Sequence, residues 1–186
     1  DATTDPATAP EPTLAGLVYT SGSTSQPKGV MVTHRNVTFT SGAIQQVLGL
    51  RPTDTIGLAL PLAFDYGLYQ LFLACRSGAS VALGAGLEAG VDWATRLGAH
   101  RVTVLPLVPH QVAMLLALLQ RPGAAGLPHL RLLTSTGEAF PEAWLGTAQS
   151  VLPHAAVYVM YGLTECKRVS TRPDRKSTRL NSSHVA

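Results

Sequence analysis

From Tyr19 to His34 the chain reads Tyr-Thr-Ser-Gly-Ser-Thr-Ser-Gln-Pro-Lys-Gly-Val-Met-Val-Thr-His. The hydroxyls of Thr20, Ser21, Ser23 and Thr24, with the backbone N–H groups around Gly22, make a nest suited to phosphate oxygens. Lys28 adds a mobile point charge of the kind that suits phosphate. Pro27 fixes φ and shapes the turn that presents Lys28. The pattern is not a Walker loop, which would need Gly at position 27 and Ser or Thr at 29, where this chain has Pro27 and Gly29. The plain alternative is a polar surface hairpin.

Such a loop needs elements to hold it. Leu14–Thr20 reads as a strand running into the loop, and residues 30–33 resume as a strand. Helical spacing follows over 34–49, where Val37, Ile44, Val47 and Leu48 share a face, and over 66–76, where Leu68, Leu71, Phe72 and Cys75 do. Short helices are expected at 91–98, 108–120 and 141–151, the last with Pro at its first position. Apolar strands are expected at 55–60, 79–83, 101–105, 130–135 and 155–161. This alternation predicts an α/β fold with a largely parallel sheet covered by helices. In such sheets ligands gather at the carboxyl ends of the strands.

Three further stretches follow the loop: Phe64-Asp65-Tyr66-Gly67, then Ser135-Thr136-Gly137-Glu138-Ala139-Phe140, then Tyr161-Gly162-Leu163-Thr164-Glu165. With the loop, and in this order, they resemble the motifs of the adenylate-forming (AMP-binding) superfamily. That superfamily holds acyl-CoA synthetases, fatty acyl-AMP ligases, luciferases and peptide-synthetase adenylation domains. The resemblance covers roughly residues 14–170 and implies part of that family's N-terminal domain. One departure is Ser25, where the family most often has Gly.

The resemblance implies a reaction. ATP activates a carboxylic acid to an acyl-adenylate, pyrophosphate leaves, and the acyl group passes to a thiol, either CoA or a phosphopantetheinyl carrier protein. Thr20, Ser21, Gly22, Ser23, Thr24 and Lys28 are then expected on the β- and γ-phosphates. Gly137, Glu138, Tyr161 and Gly162 are expected around the adenine, with Thr164 on the α-phosphate and Glu165 on Mg²⁺. Lys28, Thr164 and Glu165 form the expected catalytic set. Phe64, Asp65, Tyr66 and Tyr69 are expected to line the acid pocket. Asp65 admits two readings: pairing with the ammonium of an amino-acid substrate, because a carboxylate in an apolar pocket needs a cation, or capping the helix that follows. Glu138 can equally be a solvated carboxylate, and Tyr161 a core aromatic. The leading expectation is an acyl-CoA ligase-like enzyme. The alternatives are an amino-acid adenylation domain loading a carrier protein, and a nucleotide-binding module without activity.

Composition sets the outer limits. The chain has 186 residues, 46% hydrophobic and 13% charged, enough to build a core. Net charge is +3, of which Asp174, Arg175, Lys176 and Arg179 contribute +2, so nothing in the rest points to nucleic acid. The longest apolar run is broken by Pro106, Pro109, His110 and Gln111, so no membrane span is expected. Cys75 and Cys166 form no CxxC, and a disulfide framework or zinc site is not expected. The expected setting is the cytoplasm.

The two ends read differently from the middle. Residues 1–13 are rich in Pro and Thr and read as a linker. From Asp174 the chain reads Asp-Arg-Lys-Ser-Thr-Arg-Leu-Asn-Ser-Ser-His. A common sequencing-library adapter translates in frame to that same string. Residues 174–186 are therefore expected to be a translated adapter, and 14–173 a partial AMP-binding domain. On that reading this stretch lacks the family's ribose-holding Asp, hinge and C-terminal Lys, and is expected not to complete the reaction alone.

Overall fold

A computed structural model of the chain describes residues 13–20, 27–84, 92–164 and 167–173, the last run by its backbone. It contains β1 (Leu14–Thr20), β2 (Lys28–Thr33), α1 (His34–Leu48), β3 (Thr55–Leu58), α2 (Asp65–Ser77) and β4 (Ser80–Leu83). There follow α3 (Trp93–Ala99), β5 (Val104–Leu107), α4 (Pro109–Leu119), β6 (Leu132–Ser135), α5 (Ala143–Val151), β7 (Ala156–Leu163) and β8 (Lys167–Pro173). β1 and β2 form a separate antiparallel pair, and the remaining strands form one sheet in the order β4-β3-β5-β6-β7-β8. Strands β4 to β7 are parallel, and β8 runs antiparallel at the edge. The expected parallel sheet covered by helices is present.

Helices cover the sheet on both faces. α1 and α2 close one face over Ile56, Val104 and Leu132, with Ile44, Leu48, Tyr69 and Leu73 as their contribution. α3, α4 and α5 close the other over Leu105, Leu107, Leu133 and Val157, with Trp93, Leu97, Val112 and Leu115 at the centre. Alternate residues of each strand serve alternate faces, which is why β5 and β6 are buried at every position.

Local chemistry sets the element ends. Thr33 caps α1: its Oγ1 accepts from the Asn36 amide, and the Asn36 side chain accepts from the Thr33 amide. Gly49, left-handed at φ 56°, ends the helix. Arg101 takes the same left-handed geometry at φ 50° and closes α3, with the Val102 amide donating to the Leu97 carbonyl.

Several boundaries differ from expectation. Arg101 belongs to that turn, so β5 spans Val104–Leu107 and not 101–105. Pro106 sits inside β5 and has no N–H to give. β5 meets β3 only at Ile56↔Val104 but pairs with β6 along its whole length. β2 begins at Lys28, two residues earlier than expected, and β8 was not foreseen. On α2 the buried residues are Tyr66, Gly67, Tyr69, Gln70, Leu73, Ala74 and Ser77. The expected stripe is rotated away: Cys75 is exposed, and Leu68, Leu71 and Phe72 are only half-buried.

At the amino ends of the strands one polar network ties the layers together. Asp54, 3% exposed, accepts from Arg131 Nε (2.8 Å) and Nη2, from Thr103 Oγ1 (2.8 Å) and from the Arg51 amide (2.8 Å). Arg131 Nη2 also donates to the Gly49 carbonyl at the end of α1. Burial pushes the Asp54 carboxyl up, but the hydrogen bonds from Arg131, Arg51 and Thr103 and the charge of Arg131 outweigh it. The net effect holds the group below its ordinary value.

Candidate functional site

Because β3, β5, β6 and β7 run parallel, their carboxyl ends share one edge. Three of the four singled-out stretches emerge there. The connection after β3 delivers Phe64, Asp65 and Tyr66 at the start of α2. The connection after β6 carries Thr136, Gly137 and Glu138, and Thr164 follows β7.

The first stretch is held rigidly. Phe64 is the N-cap residue of α2 without a side-chain cap bond, and Asp65 stands one position inside the helix, half-buried. A Cβ on Gly67 would lie 2.3 Å from the Pro61 carbonyl oxygen, so the first turn of α2 rests directly on the backbone of the connection. Tyr66 is 2% exposed, and its hydroxyl lies 2.6 Å from Thr134 Oγ1 on β6. Gln70 Nε2 donates to the Tyr66 carbonyl at 2.9 Å, and the Phe64 ring meets the Tyr66 ring edge-on at 6.3 Å. Tyr69 lies a turn further on, in the core with Ile44, Leu48 and Ile56, its ring edge-on to Phe72.

The second stretch begins with buried hydroxyls and turns sharply. Gly137 has φ 104°, a conformation that suits glycine, and the place of its missing Cβ is 3.8 Å from Val108 Cγ1. Glu138 is exposed. The third stretch is partly strand: Tyr161, Gly162 and Leu163 lie in β7, paired with β8, and a register shift falls between Tyr161 and Gly162. Such irregularities re-aim side chains at sheet rims. Tyr161 is 59% exposed at this rim, and Thr164 is half-buried just past the strand.

Of the stretch from Tyr19 to His34, the described residues form the β1–β2 pair and the start of α1. Thr20 and Lys28 face each other as the last register pair, and Lys28 is exposed. Ser21, Gly22, Ser23, Thr24 and Ser25 lie outside the described residues, as does Glu165. No cluster of three or more His, Cys, Asp or Glu forms among the described residues. No described helix is long and apolar enough to cross a membrane. Sequence reasoning passed over Thr134 and named Ser135 and Thr136 only as part of a motif. The available signal was a run of hydroxyls at the end of a strand buried on both faces.

In parallel α/β sheets of this kind ligands bind in the crevice outside the carboxyl ends of the strands, the rim where these connections meet. The chain belongs to the AMP-binding enzyme family, whose model matches residues 1–184. Among curated proteins it is similar to an indigoidine synthase of Dickeya dadantii, 34% identical over 82% of this chain and 10% of that protein. It is also similar to an L-proline--[L-prolyl-carrier protein] ligase of Streptomyces coelicolor, 32% identical over 87% of this chain and 31% of that one. Among solved structures, VinN in complex with L-aspartate matches with a TM-score of 0.81 and 34% identity, over 89% of this chain and 41% of VinN. The chain thus spans less than half the length of each of these relatives.

Proposed function

We propose that the protein carrying this chain activates a carboxylic acid with ATP to an acyl-adenylate, releases pyrophosphate and passes the acyl group to a thiol. The observation that carries this reading is the meeting of three connections at one sheet edge, where Tyr161 is exposed, Gly137 turns left-handed and Asp65 opens a helix. Adenine stacks on Tyr161 and borders Gly137, Glu138 and Gly162. Thr164 takes the α-phosphate, and Thr20, Ser21, Gly22, Ser23, Thr24 and Lys28 take the others.

The protein's task is to position the acid oxygen for attack on the α-phosphorus and to offset growing charge. Mg²⁺ supplies charge neutralisation when bound. A hard cation held by Glu165, substrate phosphates and water needs no cluster of protein ligands. ATP supply and a thiol acceptor place the reaction in the cytoplasm, with CoA as acceptor in the acyl-CoA ligase form.

A second reading has a specific observation behind it. Asp65 stands half-buried at the head of α2, and VinN is solved with L-aspartate. The S. coelicolor relative is named for loading a carrier protein. In this form the substrate is an amino acid, Asp65 pairs with its ammonium, and the acceptor is a phosphopantetheinyl carrier protein.

Acid-dependent exchange of pyrophosphate into ATP, measured on the full-length protein with a panel of acids and amino acids, tests both. If the substrate is an amino acid, Asp65→Ala weakens its use by about 2–5 kcal/mol. If it is a simple acid, the loss is small. ATP binding without exchange for any acid would leave a nucleotide-binding module instead.

A further inference from the structure

Charge is segregated along the strand direction. Among the described acids, Asp65, Asp92, Glu138 and Glu142 all lie on segments that follow the carboxyl ends of β3, β4 and β6. The remaining one, Asp54, is at the amino edge of the sheet, where it is buried and bound by Arg131. That edge otherwise carries the opposite sign. Arg51, Arg101 and Arg131 precede β3, β5 and β6, and Arg121 follows α4. His129 and His154 precede β6 and β7, each exposed in a Leu-Pro-His turn whose Leu is buried.

The cations stand on a rigid frame. The Thr103 amide donates to the Thr55 carbonyl, the Arg131 amide to the Thr103 carbonyl and the Ala156 amide to the Arg131 carbonyl, each at 2.9 Å. Arg51 gives the Asp54 network only its amide. Its guanidinium, like those of Arg101 and Arg121, is exposed and holds no ion pair among the described residues.

Arg101 stands out within this set. It is left-handed at φ 50° directly after the C-cap of α3, a place that helices usually give to Gly or Asn. Every other described residue with positive φ is a glycine. A side chain here costs stability that glycine would not. Such strain kept at a surface points to a use outside the fold.

The chemistry of the edge narrows its partner. None of the exposed large hydrophobic side chains lies on it. It therefore offers no apolar wedge to a bilayer and no ring on which a base could stack. Permanent interfaces are apolar at their centre, and this face is not. Guanidinium forks match carboxylates in pairs.

We propose that the amino edge of the sheet reversibly docks a separate protein through an acidic face. Because β5 lies between β3 and β6, Arg101 sits between Arg51 and Arg131 and anchors the contact. The partner sits at the far end of the strands from the carboxyl rim and leaves that rim open. The proposal is independent of which acid is activated.

The test uses the full-length protein and a fluorescein-labelled peptide of alternating Glu and Ala, read by anisotropy. The wild type is expected to bind this probe at low ionic strength and to release it as NaCl is raised. Arg51→Glu combined with Arg121→Glu is expected to weaken binding by at least about tenfold, since like charges now face the probe. Arg35→Glu, exposed at the start of α1 and away from this edge, is expected to change it less than about twofold. Arg101→Gly is expected to weaken it several-fold while its melting temperature holds or rises, because glycine takes left-handed geometry freely. Pyrophosphate exchange is expected to stay at the wild-type rate in each variant.

The absence of salt-sensitive peptide binding overturns the proposal. So does binding that ignores the double reversal, or that Arg35→Glu weakens equally. A melting temperature several degrees lower in Arg101→Gly makes that arginine structural and removes it as the anchor. A single-stranded oligonucleotide or phosphatidylserine vesicles bound more tightly than the peptide, and lost in the same variants, would overturn the acidic protein in favour of that ligand.

Discussion

Asp54 and Arg131 lie 77 positions apart in the chain, yet Arg131 Nε and Nη2 both donate to the Asp54 carboxylate. The pair sits where β3 and β6 begin, on the edge of the sheet opposite the candidate site. Since the carboxylate is almost fully enclosed, removing its cation leaves a buried charge unanswered. Arg131→Ala is expected to destabilise the fold by about 3–5 kcal/mol. Asp54→Asn is expected to cost less, because the charge it leaves unpaired, that of Arg131, is 29% exposed and partly reaches solvent. Urea unfolding followed by circular dichroism measures both.

The same pair sets an acid limit. The folded carboxyl titrates below its unfolded value of about 3.9, so its stabilisation is fully present above that pH. It fades as pH falls through the folded value. Wild-type unfolding midpoints are expected to drop between about pH 5 and pH 3 more steeply than those of Asp54→Asn. Parallel pH profiles for the two proteins would remove Asp54 as the cause.

Gly67 has no room for a side chain. In Gly67→Ala the new methyl would meet the Pro61 carbonyl oxygen at 2.3 Å, so α2 must lift from the connection behind it. The expected cost is about 1–3 kcal/mol, as for other overpacked sites. The shift also moves Asp65 and Tyr66, so KM for the acid is expected to rise more than KM for ATP. Thermal melts and exchange kinetics report the two effects separately.

Thr33→Ala removes the hydroxyl that accepts from the Asn36 amide and opens the cap of α1. A loss of about 1 kcal/mol is expected. Thr33→Ser is expected to recover most of it in the same denaturation assay.

For the full-length protein, Lys28→Ala is expected to weaken ATP use, and Glu165→Ala to weaken it more. Their assigned roles are a mobile charge on phosphate and a ligand to the metal. Pyrophosphate exchange at the wild-type rate in the Glu165→Ala protein would contradict the role given to that carboxylate.

Much of this fold was legible in the sequence, since short apolar runs and amphipathic spans alternate along it. The face of α2 was not. Apolar spacing pointed to Leu68, Leu71, Phe72 and Cys75, but Gln70 and Ser77 are among the buried residues instead. Both polar side chains are tolerated there because each returns a hydrogen bond to its own helix, Gln70 to Tyr66 and Ser77 to Leu73. A hydropathy pattern counts such residues as exposed and so rotates the helix. β5 was misplaced for a related reason: Pro106 reads as a breaker, yet tolerates a strand whose β3 side is barely paired. At the site, the motifs identified the three connections. The Tyr66–Thr134 bond was invisible, because it joins residues 68 apart that no local spacing relates.

The strand order has a consequence for how the molecule is made. Once β3 and β4 have paired, every later strand joins the outer edge left by the one before: β5 beside β3, then β6, β7 and β8. None must be threaded between two strands already joined. The sheet can therefore lengthen in step with a ribosome, one crossover at a time, and chains grow and fold from the N-terminus in this manner. Asp65, Gly137 and Thr164 would reach the common rim in that order, so the proposed acid side of that rim takes shape before the proposed adenine side.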